Sequence, residues 1–91
     1  MAKCIINYTV IVARVKKFRF FRKKYYGVGL SNACAYSELK RNMPASELPK
    51  AKFYFASKCI DERGKSRMVW SAGIPLSYAE MESVSESWPN K

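Results

Sequence analysis

The chain has 91 residues, 48% of them hydrophobic and 14% aromatic, and its 17 Lys and Arg against 7 Asp and Glu give a formal charge of +10 without any His. A chain this apolar is not a disordered tail, and its length predicts one small domain over residues 1–91. The charge bears on partners and solubility rather than on fold.

The first half of the chain predicts a strand, a turn, a return strand and a helix, over residues 4–15, 15–19, 20–28 and 31–41. The first strand is apolar on both faces around Ile11, which is typical of a buried central strand. Ser31 or Asn32 is the expected helix cap. The segment 42–49 contains Pro44 and Pro49 and is the expected link to the second half.

The second half predicts the same order more clearly, with strands over 50–60 and 66–74 and a helix that begins after residue 77. Alternation places Phe53 and Phe55 on one face of the first of these strands. The intervening "DERGK" favours a tight turn. Ser77 and Glu80 have the spacing of a capping box. An apolar stripe marks the buried side of the helix and consists of Tyr78, Met81, Val84 and Trp88.

The two halves also match at an offset of 46 residues, where "GVGLSNA" (27–33) lies over "GIPLSYA" (73–79). The match indicates half-repeats over about 4–41 and 50–88 with the linker 42–49 between them. The predicted fold class is α+β: a four-stranded antiparallel sheet with two helices on one face, built as a tandem ββα-ββα pseudo-repeat. A three-stranded sheet with a terminal helix is the alternative if the first hairpin is irregular.

The stretch "ARVKKFRFFRKKYY" (13–26) puts seven positive charges among five aromatic residues without an acid. A two-stranded basic ribbon can neutralise phosphates, and its aromatic rings can stack on unpaired bases. The predicted nucleic-acid-binding residues are Arg14, Lys16, Lys17, Phe18, Arg19, Arg22, Lys23, Lys24 and Tyr25. The alternative is a charged edge ribbon whose lysines discourage aggregation and whose aromatic residues belong to the core.

A second candidate surface is the sheet face left open by the helices. Lys52, Tyr54, Lys58 and Arg67 are expected side by side there, in the mixture that sheets use to stack RNA bases. The signature of RNA-recognition motifs is absent, because "KAKFYFAS" has no Gly at the required position. Half-buried tyrosines beside lysines are also ordinary on antiparallel sheets.

Catalytic and metal sites are not predicted. General acid-base catalysis usually uses His, which is missing, and the carboxylates are too scattered to form a pair. Cys34 has no His to activate it as a nucleophile. Three cysteines without CxxC spacing cannot complete a zinc site, so no metal or cofactor is expected. We expect Cys4, Cys34 and Cys59 to be free thiols in a reducing compartment, with one disulfide and one leftover thiol as the alternative.

The longest apolar run, "CIINYTVIVA", is about half the length that a membrane helix requires, and it lacks the pattern of a signal peptide. The expected location is therefore cytoplasmic, without membrane contact. Gly27 and Gly73 are assigned to the tight bends between each ribbon and its helix.

Two functional hypotheses follow. The first is a small non-enzymatic protein that binds DNA or RNA through the basic hairpin, without sequence specificity. The second is a protein-interaction module or inhibitor, such as a phage- or plasmid-type accessory protein, that docks the ribbon on an acidic partner surface. A ribosome-associated factor would combine the two. Strand pairing across a two-fold axis would also permit a homodimer.

Overall fold

The structure is a computed structural model that describes residues 4–18, 21–71 and 73–88, apart from the side chains of Lys17, Phe18 and Phe21. The elements follow in chain order as strands β1 (Cys4–Phe18) and β2 (Phe21–Gly29), helix α1 (Asn32–Asn42), a 3-10 helix (Ala45–Lys50), strands β3 (Lys52–Asp61) and β4 (Ser66–Trp70), and helix α2 (Tyr78–Ser85).

The four strands form one antiparallel sheet in the order β2-β1-β3-β4. The α+β class and the four-stranded antiparallel sheet are therefore confirmed. Strand β1 is central and pairs along most of its length with both neighbours, which explains why it is apolar on both faces. The predicted start of the hairpin turn at residue 15 is wrong, because β1 continues to Phe18. Residues 19 and 20 lie outside the described residues.

Alternation along β1 divides the residues of the sheet between two faces. Ile11, Ala13 and Val15 lie on the face that the helices cover, and all three are fully buried. They belong to one core cluster with Leu39 of α1 and Met81 of α2, so both helices pack on the same side. The opposite face has no helix against it, and its buried part is small: Val10, Val12 and Ala56.

Gly27 has a structural role that differs from the expected bend, because it lies inside β2 beneath α1. A Cβ atom placed on Gly27 would lie only 2.1 Å from the carbonyl oxygen of Ala35 and 2.6 Å from Cβ of Leu39. Helix α1 therefore rests directly on the backbone of β2. Gly73 does not share this role. A Cβ atom placed on Gly73 would have no described atom within 4 Å beyond its neighbours in the chain.

A polar cluster joins the two helices around Glu82. The hydroxyl groups of Tyr36 and Tyr78 each donate a hydrogen bond to its carboxylate at 3.0 Å, and the Nζ atom of Lys40 lies 3.8 Å from it. Burial, followed by the bond to this carboxylate, raises the pKa of Tyr36 far above its ordinary value. One carboxylate of α2 therefore holds the two helices together.

Helix α2 begins as the sequence predicts. The Ser77 side chain accepts from the backbone N–H of Glu80, and the Glu80 carboxylate accepts from the backbone N–H of Ser77. These bonds lower the pKa of Glu80. The apolar stripe is only partly buried, because Val84 is 38% exposed. The helix ends at Ser85, and Pro89 lies outside the described residues.

The second half departs from the first, and the tandem pseudo-repeat is not confirmed. Strand β4 ends at Trp70 rather than at residue 74, and Ile74 beyond it is 88% exposed. The chain then returns to β3, where Leu76 and Phe53 exchange two backbone hydrogen bonds. Helix α2 consequently lies near β3 and the 3-10 helix, whereas α1 covers β2.

Cys4 and Cys59 form a disulfide between β1 and β3, with their Cα atoms 5.6 Å apart. The expectation of three free thiols is therefore wrong, and the alternative of one disulfide with Cys34 left over is the observed arrangement. No helix in the described ranges has the length and apolarity needed to span a membrane.

Candidate nucleic-acid interface

The sheet face opposite the helices, called here the open face, carries a block of positive charge at the end nearest the β1–β2 turn. Arg14 pairs with Lys24 on one side and with Lys52 on the other, and Lys16 pairs with Arg22. Cross-strand partners point to the same face of a sheet. Three strands thus bring five cations together, and we call Arg14, Lys16, Arg22, Lys24 and Lys52 the basic rows.

A shallow pocket of about 300 Å³ lies within this block. Its walls are Arg14, Lys16, Arg22, Lys52 and Tyr54, together with Lys50 at the end of the 3-10 helix. Lys50 was not among the predicted site residues, although alternation along a strand that begins at residue 50 puts it on the same face as Lys52. In the structure Lys50 ends the 3-10 helix and lies at the rim of the same pocket as Lys52.

Tyr54 contacts the basic rows from the middle of the open face. The Arg14 guanidinium lies over its ring, 4.9 Å from the ring centroid. A cation at this distance is attracted to the negative face of an aromatic ring. The contact orients the guanidinium along the sheet surface and leaves its N–H donors available to a ligand.

The rest of the open face is apolar and aromatic. Tyr26 and Tyr54 lie on either side of Val12, and Trp70 lies beside Ala56 on the edge strand β4. The exposed fraction is 42% for Tyr26, 51% for Trp70 and 39% for Met68. We call Tyr26, Tyr54, Met68 and Trp70 the aromatic patch. A second shallow pocket of about 380 Å³ opens here and is lined by Val10, Tyr26, Val28, Lys58, Ser66 and Met68.

The acidic residues lie away from this face. All seven are described, and they belong to α1, the 3-10 helix, α2 with its C-cap Glu86, and the end of β3 with its turn. The ion pairs between described side chains join Lys40 to Glu82 and Arg41 to Glu38, both on the helical side. The charge of the basic rows is therefore not offset by carboxylates from the same surface.

The tip of the first hairpin extends beyond the sheet. Strand β3 begins opposite Arg14, whereas β1 and β2 continue to pair as far as Phe18 and Phe21. The protruding part is a two-stranded ribbon, as the sequence predicts. Arg14, Lys16, Arg22 and Lys24 are the predicted hairpin residues that the structure brings together on one side of it.

Two of the predicted residues lie on the other side. Lys23 pairs with Val15, and its Nζ atom is 5.2 Å from the centroid of the Tyr25 ring. Tyr25 packs against the core, and its hydroxyl group donates a 2.5 Å hydrogen bond to the buried Glu47. Alternation along β2 turns Lys23 and Tyr25 toward the helices, away from the basic rows, and their role in binding stays a prediction.

The second predicted cluster is divided in the same way. Lys52, Tyr54 and Lys58 occupy alternate positions of β3 on the open face. Arg67 pairs with Cys59 instead, which places it on the opposite face, so its predicted position is wrong. Among the remaining predicted residues, Arg19 and the side chains of Lys17 and Phe18 lie outside the described part of the chain.

Tyr26, Met68 and Trp70 were not among the predicted site residues. The sequence did contain a signal for Tyr26. Arg22, Lys24 and Tyr26 occupy every second position of β2, which puts their side chains on one face. Alternation puts Trp70 and Met68 on one face of β4, but which face depends on how β4 pairs with β3. That register becomes visible only in the structure, where Lys58 lies opposite Met68.

Comparison with protein-family models, curated proteins and solved structures finds no match to this chain. The geometry of the open face is therefore the basis on which a function can be proposed.

Proposed function

We propose that this protein binds nucleic acid without catalysing a reaction, and that the basic rows contact the phosphates. The observation that carries the proposal is the convergence of five cations from three strands on one surface, on which the described residues place no carboxylate. Lys50 adds a sixth cation at the rim of the same pocket. The contacts are to the backbone, so the proposal includes no sequence specificity.

The spacing of the cations suits a repeating anion. Neighbouring strands are separated by about 4.8 Å, and positions two residues apart on a strand by about 6.6 Å. A single carboxylate would satisfy one or two of these side chains and leave the others repelling one another. A polyanion that crosses the face can contact several of them and release its condensed counterions.

The test compares two double variants that each remove one Arg and one Lys. Arg22→Ala with Lys24→Ala removes charge from the basic rows. Arg63→Ala with Lys65→Ala removes the same charge from the exposed β3–β4 turn, at the opposite end of the sheet. Affinity for a fluorescein-labelled oligonucleotide is measured by anisotropy at several salt concentrations.

We expect the first variant to bind about tenfold more weakly. We also expect its plot of log affinity against log salt to be less steep by about 1.5, because two phosphate contacts are lost. The turn variant should stay within about twofold of the parent. Equal losses in the two variants, or no binding by the parent at low salt, would contradict the proposal.

The second candidate is docking on an acidic protein surface. Strand β4 favours it, because every residue of this edge strand is exposed, including Val69 at 53%. An exposed edge can pair with a strand from another chain. Pull-down from lysate with and without nuclease separates the two candidates. Partners that survive nuclease favour protein docking, and partners that vanish favour nucleic acid.

A further inference from the structure

We infer that the ligand is a single strand, whose unpaired bases lie on the aromatic patch while its phosphates follow the basic rows. This inference rests on the proposed function and specifies the kind of nucleic acid. The observation behind it is the position of the aromatic patch, which begins one step along the sheet from the row formed by Lys24, Arg14 and Lys52.

The side chains of the aromatic patch are more exposed than is usual for large apolar residues on a sheet. Sheet residues with large apolar side chains are ordinarily buried, as Phe53 and Ile11 are on the helical side. On the open face, Tyr26, Met68 and Trp70 instead remain 39–51% exposed. Flat rings that are accessible beside cations form a platform on which bases can stack.

The distances fit a short stretch of extended strand. From Arg14 to Val10 along β1 is four residues, or about 13 Å. The two pockets lie at the two ends of this path, and Tyr54 lies between them. A chain that places phosphates on the basic rows can therefore pass Tyr54 and lay its next bases on the exposed rings of Tyr26 and Trp70.

The shape of the face argues against a duplex on the patch. The outer strands of a four-stranded sheet are about 14 Å apart before side chains are added, which is wider than the major groove at about 12 Å. Base pairs inside a duplex also keep their flat surfaces stacked on each other and out of reach of the rings. A duplex can contact the protruding ribbon, but it leaves the aromatic patch uncovered.

A second copy of the chain is a weaker occupant. Two open faces brought together would place the basic rows of one copy against those of the other. The two chains would together carry a charge of +20, twice the +10 of one chain. The described residues of the face offer no carboxylates to compensate. A single strand instead matches both halves of the surface, with phosphates for the cations and bases for the rings.

The experiment uses oligothymidine, oligouridine and a DNA duplex of the same length as labelled ligands. The variants are Tyr26→Leu and Trp70→Leu, which keep apolar side chains but remove the rings. Val69→Ala is the control, since Val69 is the neighbour of Trp70 on the other face of β4. Thermal melting monitored by circular dichroism verifies that each variant is folded.

We expect the parent to bind single strands more tightly than the duplex. Each ring variant should lose about 5- to 150-fold in single-strand affinity, with an unchanged salt slope and an unchanged duplex affinity. The oligothymidine and oligouridine arms show whether DNA or RNA is preferred. Binding of either should quench the fluorescence of Trp70, and the quenching should disappear in Trp70→Leu while Trp88 remains.

Two results would overturn the inference in different ways. Equal binding of duplex and single strand, with both ring variants silent and Arg22→Ala with Lys24→Ala still weakened, would refute the single-strand inference and leave the phosphate-binding proposal standing. Absence of binding to all three ligands at low salt would refute both.

Discussion

At the scale of single residues, Gly27 is the position where the structure tolerates the least change. Gly27→Ala would drive a methyl group into the backbone of α1, at Ala35 and Leu39. A flexible side chain could move away from that methyl group, but a helix backbone must shift as a whole. We expect a loss of about 1–3 kcal/mol in the free energy of unfolding, measured by urea denaturation.

Gly73→Ala is the matched control for this substitution. No atom lies near the added methyl group, so we expect a change of no more than about 0.5 kcal/mol. A similar loss in both variants would mean that backbone conformation, rather than helix approach, explains the glycine in β2.

The same scale shows what the sequence could and could not predict about the site. Alternation correctly grouped Lys52, Tyr54 and Lys58, because side chains two residues apart on a strand always share a face. It also separated Tyr25 from Tyr26. Neither side of β2 is purely apolar, however, so the pattern could not say which tyrosine the helices would cover. That choice depends on α1, which packs against β2 through glycine.

At the scale of elements, the contact between α1 and α2 depends on Tyr36 and Glu82. Tyr36→Phe removes a hydrogen bond to a carboxylate, and we expect a loss of about 1.5–3 kcal/mol at pH 7. The pKa of Tyr36 is raised in the folded state, so its contribution is complete below the unfolded pKa of about 10. Above that pH the unfolded chain loses the proton first, and stability falls by about 1.4 kcal/mol per pH unit.

The measurement is the free energy of unfolding of the parent and of Tyr36→Phe between pH 8 and pH 11. The parent should lose stability more steeply above pH 10 than the variant. Parallel curves would show that Tyr36 is not the residue responsible.

The elements also show where sequence reasoning succeeded and where it failed. The capping box of Ser77 and Glu80 is a local signal, and it placed the start of α2 correctly. The end of β4 was predicted too late, because the return of Leu76 to Phe53 is a contact between distant parts of the chain. The face of Arg67 was wrong for a related reason, since it depends on the register between β3 and β4.

At the scale of the whole molecule, the disulfide links two strands that are 55 residues apart in sequence. Cys4→Ser with Cys59→Ser should lower the free energy of unfolding by about 2–4 kcal/mol, because the unfolded chain regains the freedom of a long loop. The bond lies at the end of the sheet away from the basic rows, so oligonucleotide affinity should not change. Urea denaturation and anisotropy measure the two effects.

Cys34→Ser is the control, because this exposed cysteine takes no part in the disulfide. The single variant should behave like the parent in both measurements. If the double variant is as stable as the parent, the link between β1 and β3 contributes nothing beyond strand pairing. The pairing of Cys4 with Cys59 could not be chosen from three cysteines in the sequence, since it requires the register of two distant strands.

The alternation of β1 has a consequence for how this protein can change. Ile11, Ala13 and Val15 hold the fold together, whereas Arg14 and Lys16 lie on the other face and reach the solvent. Substitutions at Arg14 or Lys16 can therefore alter what the protein recognises without disturbing the interior. Deletion of one residue between Ile11 and Arg14 would have the opposite effect, since it would exchange the two sets and turn the charges inward. This end of the strand is thus open to replacement at Arg14 and Lys16 and closed to any change of length.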